Sequence, residues 1–187
     1  MRVAVIFAGG KSSRMGRDKA LLEFGGKSLT KYQYEKLSKI FDKVYISTKE
    51  NKFDFDAEFI YDEGETFSPA VALYSVLKNA PTDAVFVLSV DVPFIKEEYI
   101  YTLYSALNSH EIVTAKTVSG IQPMCAIYTK KVLPKLEQMI NKDNHKLNFL
   151  LKQCDTNFID FDDEESFLNL NHPHEYELAL SKTQSFK

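Results

Sequence analysis

Apolar and polar residues follow two alternating patterns along the chain. Short continuous apolar runs, such as residues 3–8 and 84–90, are typical of strands that are buried on both faces. Longer segments with apolar residues three and four positions apart, such as 28–41, are typical of helices that pack on one side. The predicted strands are 3–8, 43–48, 57–62, 84–90, 111–116, 123–129 and 157–161, and the predicted helices are 28–41, 69–80, 96–109, 131–140, 145–153 and 173–182.

This alternation of strands and helices predicts a mostly parallel sheet that is covered by helices on both faces. We therefore expect a single α/β domain, a Rossmann-like three-layer sandwich, over residues 1–182, followed by a frayed tail at 183–187. Sheets of this class bind ligands beyond the carboxyl ends of their strands. Functional residues are accordingly expected just after the predicted strands.

The first predicted strand runs into the stretch FAGGKSSRMGRDK, which is rich in glycine and in basic residues. Gly9 and Gly10 allow the backbone to turn sharply against a ligand, and successive N–H groups in such a turn bind anions. The basic residues are Lys11, Arg14, Arg17 and Lys19. Together they favour a polyphosphate ligand, although a solvated surface loop is the alternative. The glycine spacing fits neither a Walker loop nor a dinucleotide-binding fingerprint.

Asp91 directly follows the apolar run 84–90, and Pro93 then stops the strand. Mg²⁺ prefers hard oxygen ligands and usually takes one or two carboxylates together with substrate phosphates. A carboxylate at a strand end beside a phosphate loop is therefore a candidate magnesium ligand. The alternative is a cap for the helix near Lys96, but Asp91 lies too far upstream to be its usual cap.

The stretch LNLNHPHEYEL precedes and opens the last predicted helix. Asn169 and Asn171 alternate on an extended segment, so we expect their side chains to share a face. Asn171 is a candidate contact for a metal or a phosphate, and it can equally cap the helix that Pro173 opens. His172 and His174 have no third ligand nearby in the sequence, so we do not expect a zinc site.

Composition and charge exclude several classes of partner. The 187 residues are 44% hydrophobic and 26% charged, with a net charge of -3, so the chain has no overall basic field for nucleic acid or an anionic membrane. No apolar run reaches the length of a membrane span. Cys125 and Cys154 stand apart from each other and are expected to be reduced thiols in a cytoplasmic protein.

Several of these segments together resemble a known family. FAGGKSSRMGRDK is similar to the signature LAGG-x3-RMG-x-DK of nucleotidyltransferases that activate sugars and cofactors, SVDVPFI to their metal-binding strand end, and NLNHP to their NxNTP element. IQPMCAIY and the short chain favour the molybdenum cofactor guanylyltransferase branch. The resemblance covers residues 1–180 and implies a nucleotide-diphospho-sugar transferase type of fold.

The same resemblance implies an activity and its partners. Members of this branch transfer GMP from GTP to molybdopterin, or to its molybdenum-loaded form, with Mg²⁺ as cofactor and pyrophosphate as the second product. Cofactor-synthesis proteins and acceptor apoenzymes are the implied protein partners. The implied nucleotide-binding residues are Phe7, Ala8, Gly9, Gly10, Lys19, Asp62 and Asp91; Arg14, Lys19 and Asp91 are catalytic, Asp91 binds the metal, and Gln122, Pro123 and Asn171 lie on the acceptor side.

The sequence departs from the family pattern at three places near the expected base pocket. Phe7 replaces the usual Leu, SPAVA at 68–72 replaces a Gly-Pro-rich segment, and Ser47 stands where the family has Asn. These departures bear on base specificity more than on the type of reaction. A cytidylyl- or sugar-phosphate nucleotidyltransferase and a nucleotide-binding module without turnover remain the alternatives.

Overall fold

The computed structural model describes residues 1–9, 18–63 and 68–184 of the chain. In chain order the strands are β1 Val3–Phe7, β2 Glu23–Phe24, β3 Lys27–Ser28, β4 Lys43–Thr48, β5 Glu58–Tyr61, β6 Ala84–Ser89, β7 Ile112–Thr117, β8 Gly120–Thr129 and β9 Thr156–Asp160. The α-helices are α1 Leu29–Leu37, α2 Pro69–Asn79, α3 Glu97–Ser105, α4 Leu133–Asn141, α5 Leu147–Gln153 and α6 Pro173–Gln184. Short 3-10 helices span Lys19–Leu21, Lys130–Val132 and Glu165–Phe167.

Seven strands form one sheet in the order β5-β4-β1-β6-β8-β7-β9. Strand β1 is parallel to both β4 and β6, β4 is parallel to β5, and β7 is parallel to β9. Strand β8 is antiparallel to both of its neighbours, β6 and β7, so it alone among these strands runs in the opposite direction. The mostly parallel sheet that the sequence predicts is confirmed.

Helices cover both faces of the sheet, as expected for strands that are apolar along their whole length. Strand β1 is buried at every position, with alternate side chains in two separate cores. One core receives Leu29 and Leu37 from α1, Leu103 from α3 and Ala179 from α6. The other receives Leu73 and Leu77 from α2, Leu136 from α4 and Leu150 from α5. The result is the predicted three-layer sandwich.

A hairpin, β2–β3, was not predicted from the sequence. Phe24 pairs with Lys27 across a two-residue turn formed by Gly25 and Gly26. Both glycines have a positive φ, 63° and 82°, which is the conformation that tight hairpin turns require. The Gly-Gly pair is the sequence signal for this turn, but the strands are two residues long and show no alternation.

Several further boundaries differ from the prediction, and the largest differences are at the ends of α1 and α3 and at the start of β8; α3 ends at Ser105, four residues before the predicted end. Helix α1 ends at Leu37, four residues before the predicted end, because the N–H groups of Lys39 and Ile40 bond to carbonyls three residues back and tighten the chain into turns. Strand β8 begins at Gly120, three residues before the predicted start. In the described ranges, no helix has both the length and the apolar character that crossing a membrane requires.

Candidate active site

The carboxyl ends of the parallel strands lie side by side and carry most of the predicted site residues. The Ala8 N–H donates to the Ser47 carbonyl over 3.0 Å, and the Phe7 carbonyl accepts from the Val90 N–H over 3.2 Å. The end of β1 is therefore fixed between β4 and β6, and Gly9 follows it at the edge of the sheet. Phe7 and Ala8 are buried.

Lys19 joins two other predicted residues at this edge. Its Nζ lies 2.7 Å from Asn171 Oδ1 and 3.2 Å from Asp91 Oδ2. The side chains of Lys19 and Asp91 are only 16% and 14% exposed. The second carboxylate oxygen of Asp91 accepts from Ser89 Oγ over 2.5 Å. Three residues from distant parts of the chain thus form one partly buried polar cluster.

The backbone beside Lys19 is held from two sides. Lys19 opens a 3-10 helix, and Asp18 caps it by accepting the Ala20 N–H over 3.0 Å at Oδ1. On the other side, Thr30 Oγ1 of α1 donates to the Ala20 carbonyl over 2.7 Å. The base of the Lys19 side chain is therefore fixed relative to helix α1.

Asn171 is held by the start of α6 and by the strand end that carries Asp91. The Leu170 N–H donates to the Asp91 carbonyl over 2.9 Å. Glu175 Oε2 accepts the N–H groups of Asn171 and His172, over 2.7 Å and 2.8 Å. A glutamate in the first turn that reaches back in this way satisfies N–H groups which the helix leaves free. The backbone of Asn171 is thus capped, and its amide is available to Lys19.

The segment before α6 turns where an extended stretch was expected. The Asn171 N–H also lies 2.9 Å from the Asn169 carbonyl, and Asn169 Nδ2 donates to the Phe167 carbonyl over 3.1 Å. The side chain of Asn171 reaches Lys19, whereas that of Asn169 folds back onto its own segment. The prediction that the two asparagines share a face is wrong, because local hydrogen bonds turn the backbone between them.

The oxygens of this cluster converge on a cation. Asp91 Oδ2 and Asn171 Oδ1 both accept from the Lys19 ammonium group, so their negative ends point at one place. Carboxylate and amide oxygens are the hard ligands that Mg²⁺ prefers, and the donor set therefore fits that ion. Within residues 1–9, 18–63 and 68–184, no group of three or more His, Cys, Asp or Glu side chains could hold a metal. A magnesium ion would consequently depend on substrate phosphates for further ligands.

Asp62 lies at the end of β5, on the other side of β1 from Asp91. Its N–H donates to the Thr48 carbonyl over 3.1 Å, and its Oδ1 accepts from Ser47 Oγ over 3.0 Å. Burial raises the pKa of Asp62, while the Ser47 hydroxyl and the charge of Lys49 oppose the shift. A Cβ added at Gly9 would lie 3.6 Å from Asp62 Oδ2, so the glycine leaves the space between the two residues open.

Helix α1 supports the turn that follows Asp91. Gln33 Nε2 donates to the Val92 carbonyl over 2.6 Å, and Lys36 Nζ donates to the Pro93 carbonyl over 2.9 Å. Gln33 is fully buried. Burial lowers the pKa of Lys36 to about 8, because a desolvated ammonium group is disfavoured. The turn is therefore fixed through its backbone carbonyls.

Gln122 and Pro123 lie on β8, the strand beside β6. Cys125 pairs with Leu88, which places Pro123 near the carboxyl end of β6. The Gln122 carbonyl accepts from Thr114 Oγ1 over 2.9 Å, and the Pro123 carbonyl accepts from Tyr128 over 2.9 Å. Pro123 also borders a cavity of about 350 Å³ whose other walls include Pro69, Leu147 and the exposed Lys146.

The structure thus places Phe7, Ala8, Gly9, Lys19, Asp62, Asp91, Gln122, Pro123 and Asn171 at or near one edge of the sheet. Gly10 and Arg14 lie outside the described residues. Sequence reasoning missed Gln33, Ser89 and Lys52, which contact the site segments. Ser89 could have been found, because it lies at the strand end two residues before Asp91. No sequence pattern distinguishes Gln33 or Lys52.

A family model and named relatives from other organisms match most of the chain. The sequence model of one protein family, the MobA-like NTP transferase domain, matches residues 4–162. The chain is 41% identical over 181 residues to a molybdenum cofactor guanylyltransferase from Campylobacter jejuni, covering 95% of each chain. It is 33% identical over 183 residues to one from Helicobacter pylori, covering 94% of this chain and 90% of the relative.

The fold also matches a solved structure. The molybdopterin-guanine dinucleotide biosynthesis protein A from Archaeoglobus fulgidus superposes with a TM-score of 0.85 at 24% identity. The match covers 99% of this chain and 100% of that structure. At this level of identity the superposition establishes the fold, which is that of the nucleotide-diphospho-sugar transferases.

Proposed function

Since the chain belongs to the MobA-like NTP transferase family and is a nucleotidyltransferase, we propose that it transfers GMP from GTP to molybdopterin. The products are the guanine dinucleotide form of the cofactor and pyrophosphate. The observation that carries the proposal is the convergence of Lys19, Asp91 and Asn171 at the carboxyl edge of the sheet. The names of the C. jejuni and H. pylori relatives support guanine as the base.

The nucleotide lies along the sheet edge between two acidic residues. Asp62 follows β5 and Asp91 follows β6, and these strands are three positions apart in the sheet. At about 4.8 Å per strand, the two residues are separated by about 14 Å, a span suited to a nucleoside triphosphate. The base and ribose face Asp62 and Ser47, and the reacting phosphate faces Asp91. Phe7, Ala8 and Gly9 form the floor between them.

The reaction requires positioning and charge neutralisation more than covalent catalysis. A terminal phosphate oxygen of molybdopterin forms a bond to the α-phosphorus of GTP, while the bond from that phosphorus to the bridging oxygen breaks and pyrophosphate leaves. The attacking oxygen is already an anion, so the step needs no general base and no covalent enzyme intermediate. Lys19 supplies positive charge beside the reacting phosphates.

Asp91 and Asn171 would hold Mg²⁺ through their side-chain oxygens, and Lys19 Nζ, which contacts these oxygens in this structure, would then contact the substrate phosphates. When bound, Mg²⁺ supplies Lewis-acid neutralisation of phosphate charge. The Ser89 hydroxyl orients the Asp91 carboxylate, and Gln33 and Lys36 fix the turn after it. Arg14 retains its predicted role as a second cation for the phosphates.

The acceptor approaches from the β8 side of the site. Gln122 and Pro123 lie there, and the cavity beside Pro123 is lined by the apolar residues Pro69, Met124 and Leu147 and by the polar residues His145, Lys146 and Asn148. An apolar lining with a few polar groups is typical of sites for small heterocyclic ligands. We therefore assign this cavity to the pterin.

A cytoplasmic location is consistent with the free thiols of Cys125 and Cys154.

A nucleotide panel tests the proposal. The protein is incubated with molybdopterin, Mg²⁺ and GTP, CTP, ATP or UTP, and the dinucleotide product and pyrophosphate are both quantified. We expect the guanine dinucleotide and stoichiometric pyrophosphate with GTP. A preference for CTP would identify a cytidylyltransferase, and binding without pyrophosphate release would identify a nucleotide-binding module without turnover.

A further inference from the structure

Lys52, in the connection between β4 and β5, contacts two residues that stand on either side of the segment 10–17. Its Nζ lies 2.5 Å from Asp18 Oδ2 and 3.4 Å from the Ala8 carbonyl oxygen. The Lys52 side chain is 20% exposed, and its Nζ lies 5.7 Å from the centre of the Phe53 ring. A partly buried lysine therefore joins the end of β1 to the residue that precedes Lys19.

The two carboxylate oxygens of Asp18 have different partners. Oδ2 accepts from Lys52, whereas Oδ1 accepts from the Ala20 N–H and caps the 3-10 helix that Lys19 opens. Lys19 in turn donates to Asp91 and Asn171. Lys52 is thus connected to the polar cluster by its hydrogen bond to Asp18, by the backbone between Asp18 and Lys19, and by the hydrogen bonds of Lys19.

We infer that Lys52 is a positioning residue for nucleotidyl transfer, which acts through Asp18 to hold Lys19 against the reacting phosphates. The inference rests on the proposed function. Its physical basis is that Lys52 restrains Asp18, and Asp18 fixes the first turn in which Lys19 lies. Charge-assisted hydrogen bonds are stronger than neutral ones, and a pair that is mostly shielded from water is screened less by salt.

The first test compares Lys52→Met with Lys43→Met. Methionine keeps an unbranched side chain of similar length but removes the charge and the donor. Lys43 is a matched control, because it also forms an ion pair with a carboxylate, Glu58 of β5 at 2.9 Å, but through exposed side chains at the opposite end of β4. We expect Lys52→Met to lower kcat for GMP transfer roughly tenfold to a hundredfold, with Lys43→Met close to the parent.

A double-mutant cycle tests whether Lys52 acts through Asp18. Asparagine caps helices about as well as aspartate, so Asp18→Asn keeps the bond to the Ala20 N–H but weakens the bond to Lys52. If the two residues act as one unit, the double variant loses no more activity than the more impaired single variant. Additive losses would show that Lys52 does not act through Asp18 and would overturn the inference.

Amide hydrogen exchange separates this inference from the proposed function, since it needs no substrate. Exchange at Ala20, Leu21 and Leu22 should be roughly tenfold faster in Lys52→Met and unchanged in Lys43→Met, because local opening governs exchange. If the parent does not transfer GMP, the proposed function fails, while faster exchange still supports the restraint on Lys19. Parent-like exchange, or parent-like turnover in an otherwise active enzyme, would contradict the role of Lys52.

Discussion

Lys19 Nζ and Asn171 Oδ1 lie 2.7 Å apart, although 152 positions separate the two residues in the chain. The contact joins the 3-10 helix near the start of the chain to the segment that precedes α6. Lys19 Nζ also contacts Asp91, which follows the central strand β6, and Leu170, the residue before Asn171, donates to the Asp91 carbonyl. The site therefore forms only when segments from both ends of the chain come together at one edge of the folded sheet.

Replacing Lys19 by alanine should abolish most of the transfer activity. The change removes the cation that faces Asp91 and Asn171, and with it the charge that offsets the leaving pyrophosphate. We expect kcat to fall by at least roughly a hundredfold, the effect of removing a preorganised charge-stabilising group. Steady-state pyrophosphate release measures the loss. Lys27→Ala is the control, since Lys27 pairs with Glu35 on the surface, and equal losses in both variants would remove Lys19 from the site.

Replacing Asp62 by asparagine should weaken nucleotide binding more than it slows turnover. Asparagine retains an oxygen that can accept from Ser47 Oγ but loses the negative charge beside Gly9. We expect the KM for GTP to rise by roughly tenfold, with a smaller change in kcat. The exposed residue Asp56 provides the control Asp56→Asn. An unchanged KM for all four nucleotides would place Asp62 outside the binding site.

Glu175 should affect both stability and activity, because it holds the backbone at Asn171. Glu175→Ala leaves the N–H groups of Asn171 and His172 without this acceptor, and we expect the free energy of unfolding to fall by about 1 kcal/mol. Glu175→Gln keeps an acceptor and should recover most of the loss. Denaturant unfolding and transfer assays on both variants, with the exposed residue Glu177→Ala as control, measure the effects. Equal stability and equal activity in Glu175→Ala, Glu175→Gln and Glu177→Ala would contradict this role of Glu175.

Lys36 should give the protein a distinct pH dependence of stability. Burial lowers the pKa of Lys36 from 10.5 to about 8 in the folded chain. Between these values the unfolded chain binds more protons than the folded chain, so the contribution of Lys36 to the free energy of unfolding increases with pH. It is complete above the unfolded pKa and is lost as the pH falls through about 8.

Chemical denaturation of the parent and of Lys36→Met from pH 7 to pH 10.5 tests this prediction. Burial raises the pKa of Cys125 to about 12, which makes stability decrease at high pH in both proteins, so only their difference is informative. We expect the stability of the parent relative to the variant to increase across the Lys36 window. A constant or decreasing difference would show that Lys36 is not desolvated in solution.

Lys146 should affect the acceptor and not the nucleotide. It lines the cavity beside Pro123 and is exposed, so its charge can attract the phosphate of molybdopterin. Lys146→Met should raise the KM for molybdopterin severalfold, roughly the effect of one partly exposed charge, while the KM for GTP stays constant. Lys152 is exposed on α5 and serves as the control Lys152→Met. An increase confined to the KM for GTP would show that the cavity binds the nucleotide and not molybdopterin.

The hydrophobic pattern predicted most of the fold because the sheet is buried on both faces. Strands β1 and β6 are apolar almost throughout, and Gly9 and Asp91 stand two residues after the ends of these strands. The same pattern could not predict β2–β3, whose strands are too short to show a period. It also placed the end of α1 too late, because the apolar spacing continues to Ile40 and Phe41 although the N–H groups of Lys39 and Ile40 already bond three residues back.

The sequence predicted the site residues that belong to a motif. It did not predict the residues that reach the site only through tertiary contacts. Lys19 and Asp91 were identified from their motifs, and the structure brings them within 3.2 Å of each other. Lys52 and Gln33 lie in ordinary polar sequence, and only the folding of the chain brings them to Asp18 and Val92. Residues that orient a site through backbone carbonyls carry little local signal, because many side chains can donate one hydrogen bond.

The most direct test of the account is GMP transfer by Asp91→Asn across a Mg²⁺ titration, with melting curves for both proteins. Asparagine keeps the shape of aspartate and can still accept from Ser89 or Lys19, so the variant should melt within a few degrees of the parent. A neutral amide is a poor ligand for Mg²⁺ compared with a carboxylate, so nearly all transfer should be lost and high Mg²⁺ should restore only part of it. Transfer close to that of the parent at low Mg²⁺ would contradict the assignment of Asp91 as the metal ligand of a guanylyltransferase.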